Sequence, residues 1–180
     1  PQWGFVWSNV KRQGLDIFIA VDTSKSMLTE DVRPNRLERT KLAVRDLLKK
    51  LKGDRVGLIA FSGDAFLVCP LTVDYSGFLL SLDDLSVDTI PRGGTNIGRA
   101  IEEAMKGYDN VPAQYKVIIF VTDGEDLEGG AVPAARRAAE KKIRIYTVGM
   151  GTREGELVRV PNAQGQPEFL KDKDGNIVKS

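Results

Sequence analysis

The 180-residue chain contains no histidine and a single cysteine. Without an imidazole, Ser-His-Asp and Cys-His nucleophile activation, histidine general bases and histidine metal sites are all excluded. Cys69 has no second thiol in the chain to pair with, and within its apolar strand pattern it reads as a small buried hydrophobe. Charge of one sign is not in excess either: 26 Lys and Arg face 25 Asp and Glu, a formal net charge of +1. The signs are interleaved, not gathered into the basic stripe of a phosphate-tracking protein, which argues against nucleic acid. Long hydrophobic runs are missing. The longest, Ile17 to Val21 and Val117 to Val121, are far too short to cross a bilayer. The chain opens at Pro1 without a basic start, apolar stretch and cleavage site, and is therefore read as an excised segment.

What is present is an alternation of two periodicities within a length typical of one domain. Leu15 to Val21 and Tyr115 to Val121 are short, β-branched and nearly continuously apolar, as strands covered on both faces must be. Val56 to Phe61 and Ile143 to Val148 share this character, with Gly57 weakening the first. These four are expected to be parallel. Ala65 to Leu71, turned back at Ser62-Gly63-Asp64 and carrying Pro70, is expected to be an antiparallel edge strand. Between the strands, Leu37, Val44, Leu47, Leu48 and Leu51 share a helical face, with Pro34 expected in the opening turn. Tyr75, Phe78, Leu79, Leu82 and Leu85 form a second stripe. Ile97, Ala100, Ile101, Ala104, Met105 and Tyr108 form a third, and Pro133 to Lys142 reads as a short alanine-rich helix. The implied fold class is α/β: a doubly wound, mostly parallel, Rossmann-like sheet with one antiparallel edge strand. Past residue 150, Leu157 to Pro161, Glu168 to Lys171 and Ile177 to Val178 are short extended pieces between turns, a C-terminal hairpin-like appendage.

In an open α/β sheet, ligands bind at the carboxyl ends of strands where the winding reverses. The first strand runs into Asp22-Thr23-Ser24-Lys25-Ser26, one carboxylate and two hydroxyls on a tight loop. The strand ending at Val121 runs into Thr122-Asp123-Gly124, a second carboxylate. Arg92-Gly93-Gly94-Thr95-Asn96, just before a helix, offers a further hydroxyl. Asp22, Ser24, Ser26, Thr95 and Asp123 are the candidate metal ligands. An all-oxygen set suits a hard divalent cation: Mg²⁺ first, with Mn²⁺ or Ca²⁺ as alternatives. Two carboxylates balance its charge, while neutral hydroxyls leave it electrophilic enough to accept one oxygen from outside. Taken alone, Asp22 and Ser24 read rather as caps of a following helix; joined to Thr95 and Asp123, they favour the metal. Lys25 reads as solvated or as a guide for an acidic partner. Glu30, Asp31, Arg33 and Arg36 read as a solvated helix entry or as a rim that touches a partner. Gly149-x-Gly151-x-x-x-Gly155 follows a strand but leads into an extended piece, not a helix, so it is no dinucleotide loop.

Asp22-x-Ser24-x-Ser26, Thr95 and Asp123, in this order and spacing, resemble the metal-ion-dependent adhesion site of the von Willebrand factor type A domain, the likeness spanning residues 15–150. The resemblance implies a protein-binding module, not an enzyme. In it Ser24, Ser26 and Thr95 touch the metal directly, Asp22 and Asp123 act largely through water, and a partner's Asp or Glu completes the shell. Met27 to Glu38, Thr122-Asp123-Gly124-Glu125-Asp126, and Phe169-Leu170-Lys171-Asp172 with Asp174-Gly175-Asn176 are similar to the bacterial Bat aerotolerance proteins, the last tilting toward the BatB-like branch. That likeness implies a parent anchored in the bacterial inner membrane with this domain on the periplasmic side. It also implies a juxtamembrane lead-in over residues 1–14, the appendage over 151–180, and a domain whose natural end lies beyond Ser180. Trp3 and Trp7 read as near-membrane anchors or as cover for the sheet. The partners it implies are other Bat proteins and a MoxR-type AAA+ ATPase system.

Two rival readings stand beside this one. A Mg²⁺-dependent phosphoryl-transfer enzyme could use an Asp at the end of a first strand as nucleophile. The haloacid-dehalogenase-like class, however, needs a second acidic residue two positions on, where this chain has Ser24. The other rival is a passive structural scaffold, whose metal only stabilises the fold.

Overall fold

Every residue of β1 (Asp16–Asp22) is buried, a condition met only by a strand covered on both faces and flanked on both edges. It pairs in parallel with β2 (Arg55–Phe61) on one side and β4 (Lys116–Thr122) on the other. β2 pairs antiparallel with β3 (Ala65–Thr72), and β4 pairs in parallel with β5 (Arg144–Gly149). The five-stranded sheet therefore runs β3-β2-β1-β4-β5, mostly parallel with β3 as its antiparallel edge. The winding reverses at β1. The computed structural model describes residues 14–108, 115–124, 129–152, 158–162, 166–171 and 175–177. The lead-in with Trp3 and Trp7, Glu125 and Asp126, Gly155, Leu157, Asp172, Asp174 and Val178 lie outside the described residues.

Side chains alternate across the sheet as the pleat requires. Ile17, Ile19 and Val21 of β1 enter a core with α1 (Arg36–Leu48) and α2 (Tyr75–Asp83), while Phe18 and Ala20 enter a second core with α3 (Ile97–Gly107) and α4 (Ala131–Glu140). Two corrections follow at the helix starts. Pro34 lies outside α1, after a cis peptide at Arg33–Pro34, and the cap is Asn35, whose side chain accepts from the Glu38 N–H at 2.8 Å. α4 begins at Ala131, two residues before Pro133; an early proline is tolerated there because the first-turn N–H groups have no intrahelical partner.

The residues after β5 fold back onto the carboxyl edge of the sheet. β6 (Arg159–Pro161) and β7 (Pro167–Phe169) form an antiparallel pair, extended by a bridge between Lys171 and Ile177. β6 packs against a single-turn 3-10 helix at Lys25–Leu28, directly after β1, and Val158 is fully buried. β5 keeps Tyr146 and Val148 exposed.

The position of β1 depends on one aromatic ring. Phe18 meets Tyr108 edge to face, with centroids 4.8 Å apart. A methyl group at Gly57 or Gly107 would lie 2.3 or 2.5 Å from the Phe18 ring, so these two glycines form the slot that holds it. The register between β2 and β3 slips around Gly57. The Tyr108 hydroxyl, at the edge of the ring pair, faces the Asp16 and Val117 carbonyls and the Phe18 N–H, tying β1 to β4. Burial pushes its ionisation far upward, so it serves as a neutral donor. We predict that Gly107→Ala and Gly57→Ala each lower stability by about 1–3 kcal/mol, the usual cost of overpacking. Urea unfolding measures this, and a variant as stable as the parent would show that the slot has slack.

Candidate metal centre

The loop after β1 begins with a carboxylate removed from water. Asp22 is fully buried, its Oδ1 accepting from the Ser24 N–H at 2.8 Å and its Oδ2 from the Thr122 hydroxyl at 2.7 Å. Both donors are uncharged. Burial raises the Asp22 pKa to about 6, hydrogen bonding from Thr122 and from the Ser24 side chain and backbone recovers part of the shift, and Asp123 adds a smaller repulsive contribution. A buried carboxylate in this condition is one that a cation would relieve.

The capping reading of Ser24 is answered by its hydroxyl. Ser24 occupies the cap position of the 3-10 helix, yet its side chain makes no capping bond. Its Oγ lies 2.9 Å from the Ser26 Oγ. The third hydroxyl arrives on the loop before α3, which is stitched to the end of β2. The Ser62 Oγ donates to the Gly94 carbonyl at 2.9 Å, and the Asn96 N–H donates to the Ser62 carbonyl at 2.7 Å. Asn96 then caps α3 through the Arg99 N–H at 2.9 Å. Thr95 is thereby fixed at the helix entrance, and it lines one cleft together with Ser24 and Ser26.

Asp123 stands on the other side of Asp22 and is held by a residue outside the candidate set. The Arg36 Nη1 donates to the Asp123 Oδ2 at 3.0 Å, while Nε and Nη2 make a two-pronged contact with the Asp31 carboxylate, each bond 2.9 Å. The side chains of Arg36, Asp31 and Asp123 are 2%, 4% and 3% exposed. Neither reading of the charge cluster fits these residues. Glu30 and Arg33 are exposed, but Asp31 and Arg36 form an interior ion pair. Asp31 also accepts from the Thr152 N–H at 2.7 Å, just past β5. The backbone passes close here: Gly151 has φ +129°, and a methyl group on it would lie 2.9 Å from the Arg36 Nη2. This contact accounts for a glycine at position 151 without recourse to a nucleotide. The signal that could have found Arg36 is its place at the first position of a helix after a capping Asn, where a solvated arginine gains little.

Charge bookkeeping completes the site. Arg36 pairs with both Asp31 and Asp123, and Asp22 and Asp123 are the candidate carboxylates for a divalent ion. Among the described residues no three Cys, Asp or Glu side chains gather so as to hold a metal; the donor set is two carboxylates and three hydroxyls. Oxygen-only donors of this kind fit Mg²⁺ or Mn²⁺ and do not suit a soft ion.

The fork generates a prediction. Arg36 hydrogen bonding, set against burial, holds the Asp31 pKa at about 2. A carboxylate depressed on folding adds stability above its unfolded pKa and loses it as pH falls through the folded value. The loss therefore falls between about pH 4 and pH 2. Asp31→Asn should flatten that acid limb in urea unfolding measured across this range. Arg36→Met should cost about 3–5 kcal/mol, because it strands two buried carboxylates. An unchanged acid limb in Asp31→Asn would remove Asp31 from this role.

With this geometry in view, comparisons with known proteins place the chain. Residues 17–125 match the von Willebrand factor type A domain. BatB from Bacteroides thetaiotaomicron is 40% identical with a TM-score of 0.86, over 93% of this chain and 80% of that one. An aerotolerance-related membrane protein from Bacteroides fragilis is 36% identical with a TM-score of 0.85, over 93% and 81%. An uncharacterized protein of Borreliella burgdorferi is 32% identical over 78% of this chain and 42% of its own length. The chain spans about half the length of the curated relatives it matches. At the level of fold alone, a mussel byssus matrix protein with a zinc-occupied adhesion-site motif (20% identity, TM-score 0.62) and a manganese-loaded TRAP protein of Plasmodium vivax (19%, 0.61) are also similar. The chain belongs to the von Willebrand factor type A domain family.

Proposed function

We propose that Asp22, Ser24, Ser26, Thr95 and Asp123 hold a divalent cation, Mg²⁺ first, through which the domain captures an Asp or Glu side chain of a protein partner. The observation that carries this reading is the buried Asp22 carboxylate, met only by neutral donors, beside paired serine hydroxyls that open onto a cleft. The bound ion would supply a Lewis-acidic position open to an incoming carboxylate. The chain's own residues do the positioning. Thr122 and the Ser24 N–H orient Asp22, Arg36 orients Asp123, and the tie from Ser62 to Gly94 presents Thr95. Ser24 stands where a phosphoryl-transfer enzyme of the haloacid-dehalogenase type would need a second acid, so the domain is proposed to bind and not to catalyse.

The similarity to BatB and to the aerotolerance-related membrane protein supports a membrane-associated bacterial parent; anchoring in the inner membrane with this domain on the periplasmic side is proposed with it. Other Bat proteins and a MoxR-type ATPase system are its proposed partners. Among the described residues no helix is long and apolar enough to cross a membrane.

Metal should stabilise the fold by RT ln(1 + [L]/Kd), about 2.7 kcal/mol at a hundredfold excess over Kd, seen as a Tm several degrees higher in Mg²⁺ or Mn²⁺ than in EDTA. Asp123→Asn keeps an acceptor for Arg36 while removing the charge, so it should fold and lose this shift. Thr95→Ala should weaken Mg²⁺-dependent capture of partners from a bacterial lysate more than it lowers Tm. A Tm that ignores metal, with no heat of binding by calorimetry, would overturn the assignment. A partner whose acidic residues can all become amides without loss of Mg²⁺-dependent binding would overturn the carboxylate mechanism.

A further inference from the structure

The cleft that receives Ser24, Ser26 and Thr95 is far larger than one ion and one carboxylate require. It encloses about 590 Å³, within the range of sites that enclose a whole ligand. Its walls come from two parts of the chain that the metal motif does not include. On one side the segment between α2 and α3 contributes Val87, Ile90 and Pro91; on the other the hairpin contributes Leu170 and Lys171, immediately after β7.

The hairpin wall is anchored. The Leu170 N–H donates to the Val158 carbonyl at 2.9 Å, Lys171 bridges to Ile177, and β6 packs on the 3-10 helix that carries Ser26. The same short stretch of chain therefore supports a candidate metal ligand and one side of the cleft. Among the described residues, the charged side chains lining it are Lys25, Lys171 and Asp88, all exposed. Two cations against one anion leave a positive rim, which a divalent ion on the floor would reinforce.

We infer that this cleft, with the β6–β7 hairpin as one wall, receives an extended segment of the partner protein in which an acidic residue adjoins an aliphatic one. The inference rests on the proposed metal capture and adds the neighbouring specificity. The carboxylate goes to the floor beside Ser24, Ser26 and Thr95. The aliphatic side chain lies between Val87 and Leu170, and further acidic residues face Lys25 and Lys171. Apolar walls are needed because a carboxylate alone selects poorly among the many acidic side chains on any protein surface, whereas a filled apolar pocket discriminates by shape.

The test uses the full chain and a displayed library of random nonapeptides, panned in millimolar Mg²⁺ and eluted with EDTA. The expected eluate is enriched in peptides with Asp or Glu next to Leu, Ile or Val. Each recovered peptide is then measured against three variants, with Mg²⁺ binding followed separately by calorimetry. Lys171→Glu and Leu170→Ser alter the hairpin wall, and Val87→Ser alters the opposite wall should the hairpin variants disturb folding. A loss of peptide affinity of about tenfold or more, with Mg²⁺ binding unchanged, supports the cleft. Recovered peptides that carry acidic residues without an aliphatic neighbour, or that bind all three variants as well as the parent, overturn this inference and leave metal capture standing. Recovery indifferent to Mg²⁺ overturns metal capture and this inference with it.

Discussion

At the end of the central strand a carboxylate is taken out of water, and much of the surrounding architecture answers that cost. Asp22 lies where β1 is flanked by β2 and β4, so no edge is open to solvate it. Its two oxygens are met by a backbone N–H from its own loop and a hydroxyl from β4. Neither carries charge, and a buried anion with only neutral partners remains expensive. On the proposed reading, the hydroxyls that line the nearby cleft and this carboxylate would together meet a positive charge.

The second carboxylate is treated differently. Asp123 already has a guanidinium, and Arg36 shares its donors between Asp31 and Asp123. Asp31 takes a two-pronged contact, and the bond from Arg36 Nη1 to Asp123 Oδ2 orients the second side chain. Two acids thus share one arginine, and on the proposed reading one of them fixes the arginine while the other faces the metal. The arrangement converts a flexible aspartate on a loop into a positioned one.

Much of the fold was legible because its signals are periodic. Continuous apolar runs marked the buried strands, stripes marked α1 to α3, and Pro70 marked the edge strand β3. Asp22, Ser24, Ser26 and Asp123 could be singled out as candidates because they lie at or just past strand ends in short polar strings, and Thr95 because it precedes a helix after two glycines. Pro34 misled because proline suits either side of a helix start, and Asn35 took the cap. Arg36 and Asp31 were illegible for a deeper reason. A charged residue in sequence signals exposure, and only the meeting of residues 31, 36, 123 and 152 makes their burial affordable. The slot for Phe18 is hidden in the same way, since its glycines lie on β2 and at the end of α3, far from the ring in sequence.

The bond from Thr152 to Asp31 separates two notions of a domain boundary. The stretch that matches the family model stops at residue 125, before α4 and β5, and that match taken alone would license cutting there. Yet the amide that secures Asp31 comes from beyond β5, and Gly151 is shaped to let the chain pass the Arg36 guanidinium. A shortened version ending before Thr152 would retain every residue of the adhesion motif and lose the fastening that keeps one of them in place. For anyone choosing where to cut such a domain, the smallest unit that carries the motif is smaller than the smallest unit that can hold it in shape.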